Sequence, residues 1–376
     1  MTRTLQGMTW DHPRGLDSVM GSNSLLESAI GVTVEWSARS LLEFGDQPIT
    51  EFYQDYDLLI IDHPHVPDAV HGQCITPLEG LIAASDLELL QRTSVGQSHS
   101  SYQYQGSQWA LAIDTAAQVS AFRPDKADHS PIFWEEVIEL AKTGTLLWPH
   151  KPVDAFSTFA TLMAQREAPL ASTGRFIEKT PAAEVIEFMI ELSGLVPNFC
   201  LTSNPIQIAE ILASENSYAH AVCMYGYSNY SRDGFRARSI SYDDLPSYNG
   251  RATGSQLGGA GIAVSSAAQD PESAAKVALA LSSPDIQSST YVTSGGQPGN
   301  LVAWKSGYAN RITGNFFANT LRSLEGAWLR PRIYGWPEVQ FATSQIIHRI
   351  LTQKKYLAGD LDAIESAFLG HIKEGL

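Results

Sequence analysis

Cysteine is scarce in this 376-residue chain, which holds only Cys74, Cys200 and Cys223. None has the paired spacing of a metal site, and three thiols allow at most one internal disulfide, so a disulfide framework is excluded. Positive charge is also short, with 25 Lys and Arg against 40 Asp and Glu and a net charge of −15. An acidic surface of that size repels phosphate backbones and anionic lipid, which argues against nucleic-acid and membrane-surface roles. No apolar run reaches the roughly 18 residues needed to cross a bilayer. Phosphate-binding loops, zinc-protease helices and nucleophile-elbow serines are missing too; Gly254-Ser255-Gln256-Leu257-Gly258 fails the last pattern in spacing and context. There is no internal repeat, low-complexity tract or flexible tether. Met1–Gly7 carries no apolar secretory stretch or small-residue cleavage site. The expected compartment is periplasmic or extracellular if a leader preceded these residues, and cytoplasmic if Met1 is the native start.

What remains is ordinary globular composition, 44% hydrophobic and 17% charged, with mass enough for two domains. The first third alternates strand and helix signals. Leu5–Trp10 reads as a strand, followed by a helical pattern through Leu16, Val19, Leu25, Leu26, Ala29 and Ile30. Val32–Trp36 alternates as a strand, Ser40–Tyr53 carries a weaker helical pattern, and Asp57–Asp62 is a buried parallel strand. This order predicts an α/β, doubly wound sheet with ligands at the carboxyl ends of its strands; in a sheet of strand order 2-1-3 the first and third strands are neighbours. Tyr102–Ala112 reads as a strand pair turning near Gly106, and Thr115–Phe122 as a further extended segment. Helices are expected at Phe133–Lys142, Phe156–Arg166, Pro181–Ser193 and Pro205–Ser214, and strands at His220–Tyr225 and Gly258–Val264. Asp270-Pro271 supplies an N-cap and a first-turn proline to a later helix, and the last quarter is mostly helical.

Several segments, in this order, resemble the extracellular solute-binding proteins of ABC importers, the carbohydrate (maltose-type) binders. Tyr104–Asp114 is similar to the family's first crossing between lobes, with Ala112 where a proline is usual. Phe133–Val137 resembles the helix opening the second lobe, and Gly258–Ser266 the returning glycine-rich strand. Pro271–Ala275, Ser283–Gln287, the turn Gly295-Gly296-Gln297-Pro298 and the late segment Pro331–Trp336 follow in family order. The resemblance implies a type II periplasmic-binding-protein-like fold of two lobes with a ligand cleft between them. Lobe 1 would be residues 1–111 plus 262–297, and lobe 2 residues 112–261 plus 298–376. It further implies a monomer that closes by hinge bending on a sugar or sugar-like solute and delivers it to permease transmembrane subunits. No cofactor and no metal is expected.

Candidate ligand-binding residues begin with a repeated tripeptide, Asp11-His12-Pro13 after the first strand and Asp62-His63-Pro64 after the third. Carboxylates accept hydrogen bonds from hydroxyls and imidazoles donate or accept, which suits a polyhydroxylated ligand. Trp10 and Arg14 flank the first copy; Arg14 is a candidate partner for a solute carboxylate or phosphate. Sugar rings stack on aromatic faces, which brings in Trp10, Tyr225, Tyr227 and Trp336. Asp114, Gly259, Gly296 and Gln297 complete the set on the segments carrying the resemblance. Trp134, Trp109 and Trp148 are expected in the core. Arg330 and Arg332 could supply local positive potential. The alternative reading is a cytoplasmic enzyme on the same fold, with His12 or His63 transferring protons and Asp11 or Asp62 orienting them. In it Cys74 or Cys223 is the candidate nucleophile, against the ordinary role of an inert buried thiol.

Overall fold

The computed structural model describes residues 3–40 and 47–373. The chain forms two compact units, Met1–Ala116 with Gly258–Ile312, and Ala117–Leu257 with Thr313–Leu376. Among the described residues ten strands follow in order: β1 Arg3–Trp10, β2 Val32–Arg39, β3 Leu58–Ile61, β4 Gln103–Tyr104, β5 Ser107–Gln108, β6 Leu111–Phe122, β7 Leu146–Leu147, β8 His220–Tyr225, β9 Ser241–Asp243 and β10 Leu257–Val264.

In the first unit β1 lies between β2 and β3 and is parallel to both, giving the order 2-1-3 under which the two tripeptide-bearing strands are neighbours. Next comes β10, antiparallel to β3 with Ile262 opposite Ile60, and then β6. All four residues of β3 are buried, as a strand covered on both faces requires. Alternation sends Leu58 and Ile60 to one core with Leu5, Val34 and Leu281, and Leu59 and Ile61 to another with Met8 and Tyr102. Each such side chain contributes roughly 1.5–3 kcal/mol by leaving water. The β4–β5 hairpin turns through Gln105 and Gly106, both at positive φ. Of the helix expected over Ser40–Tyr53, residues 41–46 lie outside the described residues, and Ile49–Glu51 and Tyr53–Asp55 are single 3-10 turns.

The unit boundaries fall at 116, 258 and 312, not at the expected 111, 262 and 297. Residues 298–312 stay with the first unit because they are tied there. Asn300 Nδ2 donates to Thr93 Oγ1 at 3.1 Å, Ser98 Oγ to the Gly299 carbonyl at 3.1 Å, and the Tyr308 and Thr293 hydroxyls meet at 3.0 Å. The start of β10 belongs there because Gly259, at φ +133°, lies against β6. A Cβ on it would sit 2.4 Å from the Asp114 carbonyl oxygen. Both the backbone angle and the space demand glycine. Gly259→Ala is expected to lower stability by at least about 2 kcal/mol in urea unfolding; a change under half that size would mean the strands can part.

In the second unit the far half of β6 pairs antiparallel with β8 and β9, and β7 runs parallel to β8. The Pro152–Gln165 helix starts with proline in its first turn and is buried from Asp154 to Met163. It packs against the Trp336–Gln353 and Lys179–Leu195 helices. A bulge interrupts β8 opposite Val119 and Ala121, where Cys223 takes φ 52°.

Candidate functional site

The first unit gathers polar groups at the carboxyl ends of β1, β2 and β3. The β1–β3 register pairs Met8 with Leu59; carried three residues on, it sets Asp11 level with Asp62. The repeated tripeptide therefore leaves two neighbouring parallel strands side by side. Asp11 is exposed, and its amide donates to the carbonyl of Arg39, the last residue of β2. His12 Nδ1 accepts from the Arg14 amide at 3.0 Å. Asp62 caps the His63–His65 turn, accepting from the His63 amide at 2.8 Å, and its carboxylate lies 3.1 Å from His63 Nδ1. His63 is buried, edge-on to the Tyr102 ring.

Arg14 does something else. Its Nε and Nη2 donate to the two carboxylate oxygens of Asp114 at 2.7 and 2.5 Å, and both residues are at least 95% buried. Burial pushes the Asp114 carboxyl up, the Arg14 guanidinium pulls it down, and the Asp62 carboxylate adds to the push. The fork geometry matches a carboxylate on both oxygens, so Asp114 takes the bidentate face that an acidic solute would need. Tyr291, on a π-helical turn at Gln287–Tyr291, is buried near this pair, and Gly296 is small because a Cβ there would lie 2.3 Å from the Tyr291 ring. Gln297 braces β6, its Nε2 donating to the Thr115 carbonyl at 2.9 Å. Trp10 closes β1 as a core side chain against Gly15.

In the second unit a polar stripe runs along one face of the Pro152–Gln165 helix. Asp154, Ser157, Thr158 and Thr161 recur at intervals of three and four residues, so they share one side. Gln118, from β6, is their hub: its Nε2 donates to the Cys223 carbonyl at 3.0 Å, and its Oε1 accepts from Thr161 Oγ1 at 2.6 Å. The bulge with Cys223 in the left-handed region precedes that carbonyl. Gln256 lies beside them, its amide donating to Thr161 Oγ1 at 2.9 Å and its Nε2 to Ser157 Oγ at 3.1 Å and Tyr225 Oη at 2.8 Å. Tyr225 ends β8 partly exposed, and Tyr227 is buried two residues on. Trp148 Nε1 donates to Thr158 Oγ1 at 3.1 Å, and the His150 ring stacks on the Trp148 indole at 4.2 Å.

Trp336 sits fully buried among Phe156 and Phe176, as do Trp134 and Trp148 in their own core positions, while Trp109 is half-buried. Arg330 Nη1 donates to Gln340, and burial lowers the Arg332 guanidinium. All three thiols are free and buried, and burial pushes Cys74 and Cys200 up to about 11 and Cys223 to about 12, which keeps them un-ionised at neutral pH. Among the described residues no group of three His, Cys, Asp or Glu could hold a metal, and no helix is long and apolar enough to cross a membrane. Sequence reading missed Asp154, Ser157, Gln118 and Gln256. The Asp-x-x-Ser-Thr-x-x-Thr spacing inside an apolar run was the available signal, but a helix begun at Phe156 leaves Asp154 outside it.

No protein-family model matches the sequence, and no curated protein matches it. Solved structures do. The maltose-bound MalE3 of T. maritima superposes with a TM-score of 0.78 at 17% identity, covering 98% of both chains. An ABC transporter solute-binding protein from Agrobacterium radiobacter K84, in complex with ribitol, gives 0.80 at 17% identity over 98% of both. Another, from Thermotoga lettingae TMO with α-D-tagatose, gives 0.77 at 18% identity and 98% of both. A likeness running end to end through both chains gives this protein the two-lobed fold of the periplasmic solute-binding proteins of ABC transporters.

Proposed function

We propose that this protein is the solute-binding component of an ABC importer, taking a neutral sugar or polyol. It acts as a monomer outside the cytoplasmic membrane, with hinge closure around the solute and delivery to the permease transmembrane subunits. The observation that supports this most is the full-length likeness to structures holding maltose, ribitol and tagatose. The chemistry of each unit agrees with it. Hydroxyl-rich ligands need many acceptors and donors with little net charge; the first unit presents Asp11, His12 and Asp62, with its buried arginine already matched by Asp114.

Titration calorimetry with maltose, ribitol and tagatose tests the reading. At least one is expected to bind saturably, one per chain, and to emerge chemically unchanged. Ligand at a hundredfold excess over Kd should stabilise the fold by about 2.7 kcal/mol. Absence of binding by all three defeats the proposal, and conversion of a bound sugar to product transfers the protein to the enzyme reading.

A further inference from the structure

Two buried acceptors in the second unit have no donor among the described residues. They are Asp154 Oδ2 and Gln256 Oε1, on residues 4% and 1% exposed. Their neighbours are fully engaged: Ser157 holds Gln256 Nε2, Thr158 holds Trp148, and Thr161 holds Gln118 and the Gln256 amide. Asp154 stands one helical turn before Ser157 on the same side of the helix, at the N-terminal end of the polar stripe. A buried acceptor lacking a donor forfeits its full hydration, and a carboxylate forfeits the most. Gln256 Nε2 bonds Ser157, one turn after Asp154 on the same helix face, so both acceptors belong to one polar face that a ligand supplying donors would repair.

The topology points to the same place. β7 and β8 run parallel, pairing Leu146 with His220 and Leu147 with Ala221. The helix bearing Asp154 begins a few residues after β7 ends, and Tyr225 closes β8. The helix bearing Asp154 thus follows the carboxyl end of β7 and Tyr225 ends its parallel neighbour, on the side where open α/β sheets take their ligands. The carboxylate excludes an anionic group from this point, and the free N–H groups of the helix's first turn are not what the ligand must satisfy.

We infer that Asp154 and Gln256, backed by Ser157 and Tyr225, form a donor-demanding subsite that binds adjacent hydroxyl groups of a small neutral polyol. This rests on the carbohydrate reading above and assigns to it specificity-determining residues. Asp154 accepts a hydrogen bond from one hydroxyl and Gln256 Oε1 from the next, while Gln256 Nε2 stays on Tyr225 and Ser157. Burial also raises the Asp154 carboxyl to about 7, with Lys151 pulling it down.

The test compares wild type, Asp154→Asn and Gln256→Leu by calorimetry with ribitol, maltose and, as a source of N–H donors, 1,4-diaminobutane. Circular dichroism and urea unfolding establish that each variant is folded; Asp154→Asn, isosteric and uncharged, remains informative should Gln256→Leu unfold. The expected result is polyol binding by the wild type that weakens about 10- to 100-fold in Asp154→Asn, the loss of one hydrogen bond to a charged acceptor. Polyol binding unchanged in that variant overturns the subsite and leaves the carbohydrate reading standing. Diamine binding alone, lost in Asp154→Asn, keeps a donor-demanding site, overturns its polyol assignment and removes the carbohydrate reading. A crystal structure with ribitol bound elsewhere and an ordered water on both acceptors overturns the subsite as well.

Discussion

Arg14→Met is expected to lower stability by about 3–5 kcal/mol near pH 8, the range found when one partner of a buried ion pair is removed. The guanidinium and the Asp114 carboxylate meet through two short bonds, with Arg14 4% and Asp114 2% exposed. Without its partner Asp114 must stay ionised in an apolar setting or take up a proton. Burial already raises it, and the Asp62 carboxylate raises it further, so the proton wins as pH falls. An acid whose folded pKa lies above its unfolded value is most favourable to folding at low pH and loses that contribution as pH rises through the folded pKa. The deficit of Arg14→Met should therefore shrink toward pH 5. Replacing both partners, Arg14→Met with Asp114→Leu, should return stability to within about 1–2 kcal/mol of wild type, because two apolar groups leave no charge to desolvate. Urea unfolding of the three variants at pH 5 and pH 8 decides it. A single variant that loses under about 1 kcal/mol at both values would mean the pair is solvated.

Asp154→Asn is expected to act in the opposite direction. The carboxyl is held at about 7 by burial, with Lys151 partly offsetting, against an ordinary value of 3.8. The folded state thus keeps its proton more tightly than the unfolded chain. Its contribution is fully present below about pH 4 and is lost as pH rises to about 7. At pH 8 the variant should exceed wild type by up to about 4 kcal/mol, at ~1.4 kcal/mol for each unit of pKa. Near pH 4 the two proteins should converge. His99 and His150, both pushed down to about 4 by burial, work against this trend in the whole protein. They are neutral in the fold and protonate first in the unfolded chain, so their share is lost as pH falls from about 6.5 to 4. Both proteins carry those histidines, so the difference between their urea curves isolates Asp154. A difference that stays flat from pH 4 to pH 8 would show that the carboxylate has found a donor. A carboxylate that weakens the fold while strengthening binding would be a site kept for function at the expense of stability.

The elements that sequence could locate are those whose signals are local. The Asp270 cap, the turn at Gln105-Gly106, the run Leu58–Ile61 and the Pro205–Ser214 helix each announce themselves within a few residues. Alternation pointed to a doubly wound sheet; the order 2-1-3 that sets Asp11 beside Asp62 comes from strand pairing. What escaped depends on partners distant in the chain. Nothing near Arg14 tells that Asp114, a hundred residues on, will occupy its guanidinium. Gly259 reads as a possible hinge or ligand contact until its carbon is set against the Asp114 carbonyl. Asp154 was hidden by a boundary, since Lys151-Pro152 starts the helix one turn earlier than the apolar pattern does. Trp336 shows the opposite case. An aromatic in a segment resembling a cleft-lining one turns out to be packed between two phenylalanines, since residue type says what a side chain can touch and only the fold says what it does touch.

The place of β10 bears on how the protein is made. It lies between β3 and β6 in the sheet of the first unit, yet it is synthesised more than a hundred residues after either. While the ribosome is still producing the second unit, β3 and β6 present hydrogen-bonding rims with nothing to fill the gap, which invites pairing between nascent chains. A holdase that covers those rims, or slow elongation at low temperature, should raise the soluble yield. Truncation anywhere before Val264 should leave an N-terminal fragment that aggregates.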